Sequence, residues 1–169
     1  DKEAARWNRR AAEQGYAEAQ SNLGNLYNKG HGVEKNDKKA ARWIRLAAEQ
    51  GSPEAQSNLG ILYNEGHGVE KNYKETVRWY RLAAEQGHHV AQYSLGIMYI
   101  EGRGLEKNYK EGARWNRLAA EQGDAVAQFN LSTMYHEGLG VERNYKEAAR
   151  WNRLAAGQGH PEAQYNMCS

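Results

Sequence analysis

The sequence predicts an all-α protein, an α/α superhelical solenoid of antiparallel helix pairs. Three observations carry that prediction. The phrase Trp115-Asn-Arg-Leu-Ala-Ala-Glu-Gln-Gly123 recurs from Trp79 to Gly87 and from Trp43 to Gly51, and with small changes from Trp7 and Trp151. All five tryptophans lie in it, each 36 residues after the last. A fixed period of that size marks stacked supersecondary units, each touching only its neighbours. Within each period, two stretches of helical apolar spacing alternate with glycine-bearing turns.

The second full repeat shows why each element forms. Ser52 suits an N-cap and Pro53 the first helical position, where the missing N–H is no loss. Ala55, Leu59, Leu62 and Tyr63 follow at i, i+4, i+7 and i+8, one apolar face of a first helix, here called helix A. Gly66 stops it. After the loop 66–72, Asn72 caps helix B, with Glu75 three residues on at a capping-box position. Helix B carries Val77, Trp79, Leu82, Ala83 and Ala84, and Gly87 closes it.

In this notation the chain reads B (about 2–14), then A and B four times, then a last A from about 161. Residues 1–169 form a single array of about 4.7 repeats. Neither end carries the polar cap that solenoid ends need, so the expectation is a piece of a longer array. Gly24, Gly60 and Gly96 follow core leucines inside helix A, where glycine costs roughly 1 kcal/mol against alanine. Their shared register predicts close helix–helix approach. Ser132 and Cys168 hold that place in the last two helices A and are also small.

Composition narrows the function. The 23 basic and 21 acidic residues give a net charge of +2 with no run of one sign, against the basic stripe of nucleic-acid binders. No apolar run reaches about 18 residues, so membrane insertion is not expected. The single cysteine excludes an intrachain disulfide framework. Paired arginines on helix B (Arg42 and Arg45, Arg78 and Arg81, Arg114 and Arg117, Arg150 and Arg153) read as cover for the tryptophan rings. Their heads are expected to pair with Glu49, Glu85 and Glu121. Of the six histidines, His31, His67, His88 and His89 lack the i, i+4 partner of a zinc helix and read as loop decoration. Gly66-His-Gly68 follows a helix and lacks the Lys-Ser/Thr of a phosphate loop. No nucleophile stands with a base and an orienting acid. No enzyme, metal or cofactor is expected.

Leu-Gly-x-x-Tyr in helix A resembles a tetratricopeptide unit, whose period is about 34. Here the period is 36, and the motif runs Ala-x-x-Trp-x-Arg-x-Ala-Ala-Glu-Gln-Gly, Ala-Gln-x-x-Leu-Gly-x-x-Tyr, Gly-x-Gly-Val-Glu-x-Asn. With residues 40–72 and 76–108 showing it best, the chain resembles the Sel-one-like repeat (SLR) family of the tetratricopeptide-like superfamily. The resemblance implies an adaptor or scaffold, a bacterial setting and export to the periplasm or beyond. The paired cysteines of the family's β-lactam-associated branch are missing, so that branch's properties do not carry over.

Positions that vary between repeats are free of the scaffold's demands. In helix A these are 18/54/90/126/162, 21/57/93/129/165, 25/61/97/133 and 28/64/100/136, whose offsets of 3, 4 and 3 share one face. By the resemblance that face lines the concave groove. The first repeat presents Glu18, Ser21, Asn25 and Asn28, all polar. Further along come Val90, Tyr93, Ile97 and Ile100, then Val126, Phe129, Thr133 and His136, with Tyr165 in the last helix. The expectation is a non-catalytic, monomeric module that holds a protein or peptide partner on these residues. The alternative is a small-ligand or β-lactam-hydrolase-like protein with a pocket in the groove, marked by a deep cleft holding a Ser, His or Glu.

Overall fold

The structure, a computed structural model, describes residues 2–167. Among them are ten helices and no strand. They are α1 (Lys2–Glu13), α2 (Ala17–Lys29), α3 (Asp37–Glu49), α4 (Pro53–Glu65) and α5 (Tyr73–Glu85), then α6 (His89–Glu101), α7 (Tyr109–Glu121), α8 (Ala125–Glu137), α9 (Tyr145–Gly157) and α10 (Pro161–Met167). The architecture is a solenoid of paired antiparallel helices, and the chain divides into two compact units, residues 1–86 and 87–169. In the first, each of α1 to α5 packs on its neighbour in sequence; in the second, α6 to α10 do the same. Cys168 lies outside the described residues.

Local chemistry sets most helix ends, although α2 starts at Tyr16 with no side-chain cap. The side chains of Asn36, Asn72, Asn108 and Asn144 each accept from backbone N–H groups in the first turn of α3, α5, α7 and α9. Ser52, His88 and Asp124 do so for α4, α6 and α8. His88 is therefore a helix cap rather than loop decoration, because its Nδ1 offers Ala91 N–H an acceptor at 3.2 Å. Gly66, at φ 77°, ends α4 in the left-handed region and donates its N–H to Leu62. Two residues on, Gly68 is required for a second reason: a Cβ there would stand 1.9 Å from the carbonyl oxygen of Asp37.

Glycine inside helix A makes the close approach the sequence predicts. A Cβ on Gly24 would lie 2.5 Å from Ile44 Cγ1, and one on Gly60 2.5 Å from the Tyr80 ring. In the second unit a Cβ on Gly96 would lie 2.7 Å from Asn116 Nδ2. The side chains of helix B thus sit on the bare backbone of the preceding helix A. In α8 Ser132 takes the glycine's place, and its hydroxyl donates to the Ala148 carbonyl at 2.8 Å.

Trp79, Trp115 and Trp151 are buried, whereas Trp43 is only half-buried and Trp7 is 61% exposed. The five environments are therefore not equivalent. Trp79 packs in a cluster with Ala47, Leu59 and Leu62, all from helices that precede it. No such helices precede α1 among the described residues.

The arginines divide their labour differently from the sequence expectation. Arg78, Arg114 and Arg150 lie over the rings of Trp79, Trp115 and Trp151. They pair with Glu75, Glu111 and Glu147 at 3.1–3.4 Å, one turn back, not with Glu85 or Glu121. The i, i+3 neighbour toward the helix start shares their face. Three of the arginines one turn further along helix B cross to a tyrosine of the next helix A. Arg9 donates to Tyr27 and Arg45 to Tyr63, at 2.8 and 2.5 Å, and Arg117 donates to Tyr135.

Candidate partner-binding face

The candidate face lies wholly in the second unit, on α6, α8 and α10. Val90 and Val126, each in the first turn of its helix, are 37% and 42% exposed. Tyr93 and Phe129, three residues on, are half-buried. Tyr93 packs against the Ala119, Ala120, Ala127 and Leu131 cluster, toward the following helices. Phe129 packs on Ala155, Ala156 and Ala163 and stacks on the His160 ring with centroids 4.6 Å apart. Ile97 and Ile100 are half-buried, while Thr133 and His136 are exposed. Tyr165 is 75% exposed on α10.

The same registers in the first unit correct one sequence expectation. Glu18 is exposed, but Ser21 and Ser57 are 6% and 2% exposed, so the first repeat does not present four open polar groups. The register 21/57/93/129 leans toward the next helix pair, as the packing of Tyr93 and Phe129 shows. A serine there is covered, whereas a tyrosine or phenylalanine is too large to be covered whole.

The third and fourth repeats differ at a cluster that spans two helices. In the third, Gly96 and Gly112 face each other, each carbonyl 3.1 Å from where the other's Cβ would stand. Ile100 fills the space above Gly112, its Cγ1 2.6 Å from that Cβ position, and Asn116 is sealed beneath. In the fourth repeat the equivalents are Ser132, His136, Ala148 and Asn152. Ala148 carries the Cβ that Ile100 would not allow, and His136 stands out in solvent, edge-on to Tyr145 at 5.3 Å. An open cavity of about 610 Å³ lies here, lined by Ser132, Thr133, His136, Tyr145, Ala148 and Asn152 among others.

Sequence reasoning about helix A alone missed the helix B side of this cluster. The signal was present: the register 44/80/116/152 reads Ile, Tyr, Asn, Asn within an otherwise near-constant helix. Asn152 Nδ2 donates to the Ala163 carbonyl at 3.1 Å, and its Oδ1 is buried without a partner. His89 also has a partner that spacing did not reveal, since its Nδ1 lies 2.9 Å from Asp124 Oδ2. No group of three or more His, Cys, Asp or Glu that could hold a metal occurs among the described residues. No described helix is long and apolar enough to cross a membrane.

Helix pairs in one register, capped by side chains at most of their starts and varied on one face, define an α/α repeat protein. Its particular family follows from comparison: the Sel1 repeat model matches residues 1–16, 17–52, 53–88, 89–124 and 125–160. The chain belongs to the Sel1 repeat family. It is similar to a protective antigen of uropathogenic Escherichia coli strains displaying an SLR fold, at 39% identity and TM-score 0.93, covering 96% of this chain and 35% of that one. It is also similar to a Sel1 repeat protein from Oxalobacter formigenes, at 40% identity and TM-score 0.90, covering 96% and 64%. An immunity protein from Pseudomonas aeruginosa matches at 27% identity and TM-score 0.60, over 94% of this chain and 59% of that one. These relatives are bacterial. The chain spans about a third and just under two thirds of the first two. Comparison with curated proteins gives no match.

Proposed function

We propose that the chain is a protein-interaction module that holds a segment of a protein partner along α6 and α8. The contact residues are Val90, Tyr93, Ile97, Ile100, Val126, Phe129, Thr133 and His136, with Tyr165 continuing the face on α10. One observation carries the reading: Val90 and Val126 stand exposed beside half-open aromatic rings, where the first unit has Glu18 and Glu54 beside covered serines. Burying a large aliphatic or aromatic side chain is worth about 1.5–3 kcal/mol. Leaving such groups in water on successive helices is accounted for by a partner that covers them. The reading extends to a monomeric module without nucleic-acid or membrane binding, part of a longer bacterial array exported from the cytoplasm. The protective antigen among its relatives supports that placement. Selection of a random peptide library on the full chain, followed by calorimetry with Tyr93→Ala/Phe129→Ala, tests it. Peptides that bind with unchanged affinity after that substitution would remove the face from the function.

A further inference from the structure

Building on the proposed face, we infer that an asparagine row along helix A binds the backbone of the partner segment, which lies extended. The register 22/58/94/130/166 holds Asn, Asn, Ser, Asn and Asn. Each unit carries two of the asparagines, Asn22 on α2 and Asn58 on α4, then Asn130 on α8 and Asn166 on α10. Asn22 and Asn166 are exposed, and Asn58 and Asn130 are half-buried. Among the described residues none of these four side chains has a hydrogen-bond partner. Asn116 and Asn152 of helix B, by contrast, are buried and donate to backbone carbonyls. Asparagine is a poorer helix former than alanine, so helix formation does not account for its return at this accessible register.

Two features choose the chemistry. The row is nearly constant, whereas its neighbours one turn to either side change between repeats: Glu18 and Asn25 flank Asn22, and Val126 and Thr133 flank Asn130. A constant residue answers a group that recurs at every step of the partner, and the peptide group is the one that does. An amide side chain both donates and accepts, as does the Ser94 hydroxyl, so each position can meet a peptide N–H or C=O. The second feature is burial. A segment that covers Val90, Ile97 and Val126 also covers part of its own backbone, whose polar groups then need partners. An extended segment leaves those groups free to pair, whereas a helix has already paired them within itself.

The test uses the full chain, peptides selected from the random library, and Asn130→Ala with Asn166→Ala. The double variant is expected to weaken every selected peptide about fivefold or more, whatever its sequence, the effect of one hydrogen bond of roughly 1 kcal/mol. Each peptide is then N-methylated at successive backbone nitrogens. At least one position is expected to lose affinity to that extent on the unaltered chain and to lose none on the double variant. Affinities within about twofold in the double variant, as rim positions give, would overturn the row. So would losses confined to peptides that share one side chain, N-methyl losses that persist in the variant, or peptides that turn helical on binding. Alanine favours the helix, so a double variant that fails to fold by circular dichroism shows the asparagines to be structural and also overturns it. The two readings fail separately. Peptides that lose affinity with Tyr93→Ala/Phe129→Ala but not with the asparagine variant keep the face and remove the row. The reverse pattern keeps the row and removes the face, and a library without any binder removes both.

Discussion

Gln50 Nε2 donates to Gln20 Oε1 at 2.7 Å, joining the end of α3 to the first turn of α2. Gln20 in turn donates to the Ala12 carbonyl in the last turn of α1, so one side chain links three helices. The relay repeats as Gln86 to Gln56 to Ala48 and as Gln158 to Gln128 to Ala120. It accounts for Gln20, Gln56 and Gln128 of the Ala-Gln phrases and for Gln50, Gln86 and Gln158 after helix B. Replacing Gln56 by Leu should destabilise the chain by about 1–3 kcal/mol, because it removes two hydrogen bonds, Gln86 to Gln56 and Gln56 to the Ala48 carbonyl, each worth about 0.5–1.5 kcal/mol. Urea denaturation checks this; a loss within about 0.5 kcal/mol, the ordinary surface range, would make the relay decorative.

Trp79→Ala should cost about 3–5 kcal/mol, as removal of a buried aromatic does. Trp7→Ala, at a side chain 61% exposed, should cost less than about 1 kcal/mol. Paired denaturation curves that gave equal losses would contradict the unequal environments described above.

Glycine supplies an internal contrast. Gly60→Ala would put a Cβ 2.5 Å from the Tyr80 ring, itself buried and unable to swing away. The expected loss is about 1–3 kcal/mol, the usual cost of overpacking. Gly157→Ala in α9 meets nothing within 4 Å and should be neutral or gain up to about 1 kcal/mol of helix propensity. Thermal melts should show a lowered midpoint for Gly60→Ala and an unchanged or raised one for Gly157→Ala.

For the proposed face, Tyr93→Ala with Phe129→Ala should weaken binding of a selected peptide about thirtyfold or more, if each costs at least 1 kcal/mol and they act independently. Glu18→Ala with Asn25→Ala should leave it within about twofold, as polar rim positions do. Both rings are half-buried, so circular dichroism of the double variant must accompany the calorimetry. A fully folded variant with unchanged affinity would place binding elsewhere.

Much of the architecture was legible from residues alone. The 36-residue period, Asn72 and Ser52 as caps, Gly66 as a stop and Gly24, Gly60 and Gly96 as contact points are local or periodic signals. Each depends on backbone geometry within one or two turns, which spacing reports directly. The partners of long side chains did not follow from spacing. Arg45 could as well have met Glu49 as Tyr63, and only the packing of α3 on α4 brings the tyrosine hydroxyl within 2.5 Å.

The same division holds for the candidate face. Variation at Val90, Tyr93, Ile97 and Ile100 was visible in the sequence, but helix periodicity cannot say which edge of a face the next helix pair will cover. Tertiary packing covers Ser21 and Ser57, half-covers Tyr93 and Phe129, and leaves Val90 and Val126 in water. It also decides the space over Gly112. Exchanging Ile100 and Gly112 for His136 and Ala148 is conservative in helical terms, yet side chains at those two positions compete for one volume across two helices. Helix formation is local, so the sequence by itself determined the repeat; occupancy of space between helices is not local, so the structure decided where the protein is left open.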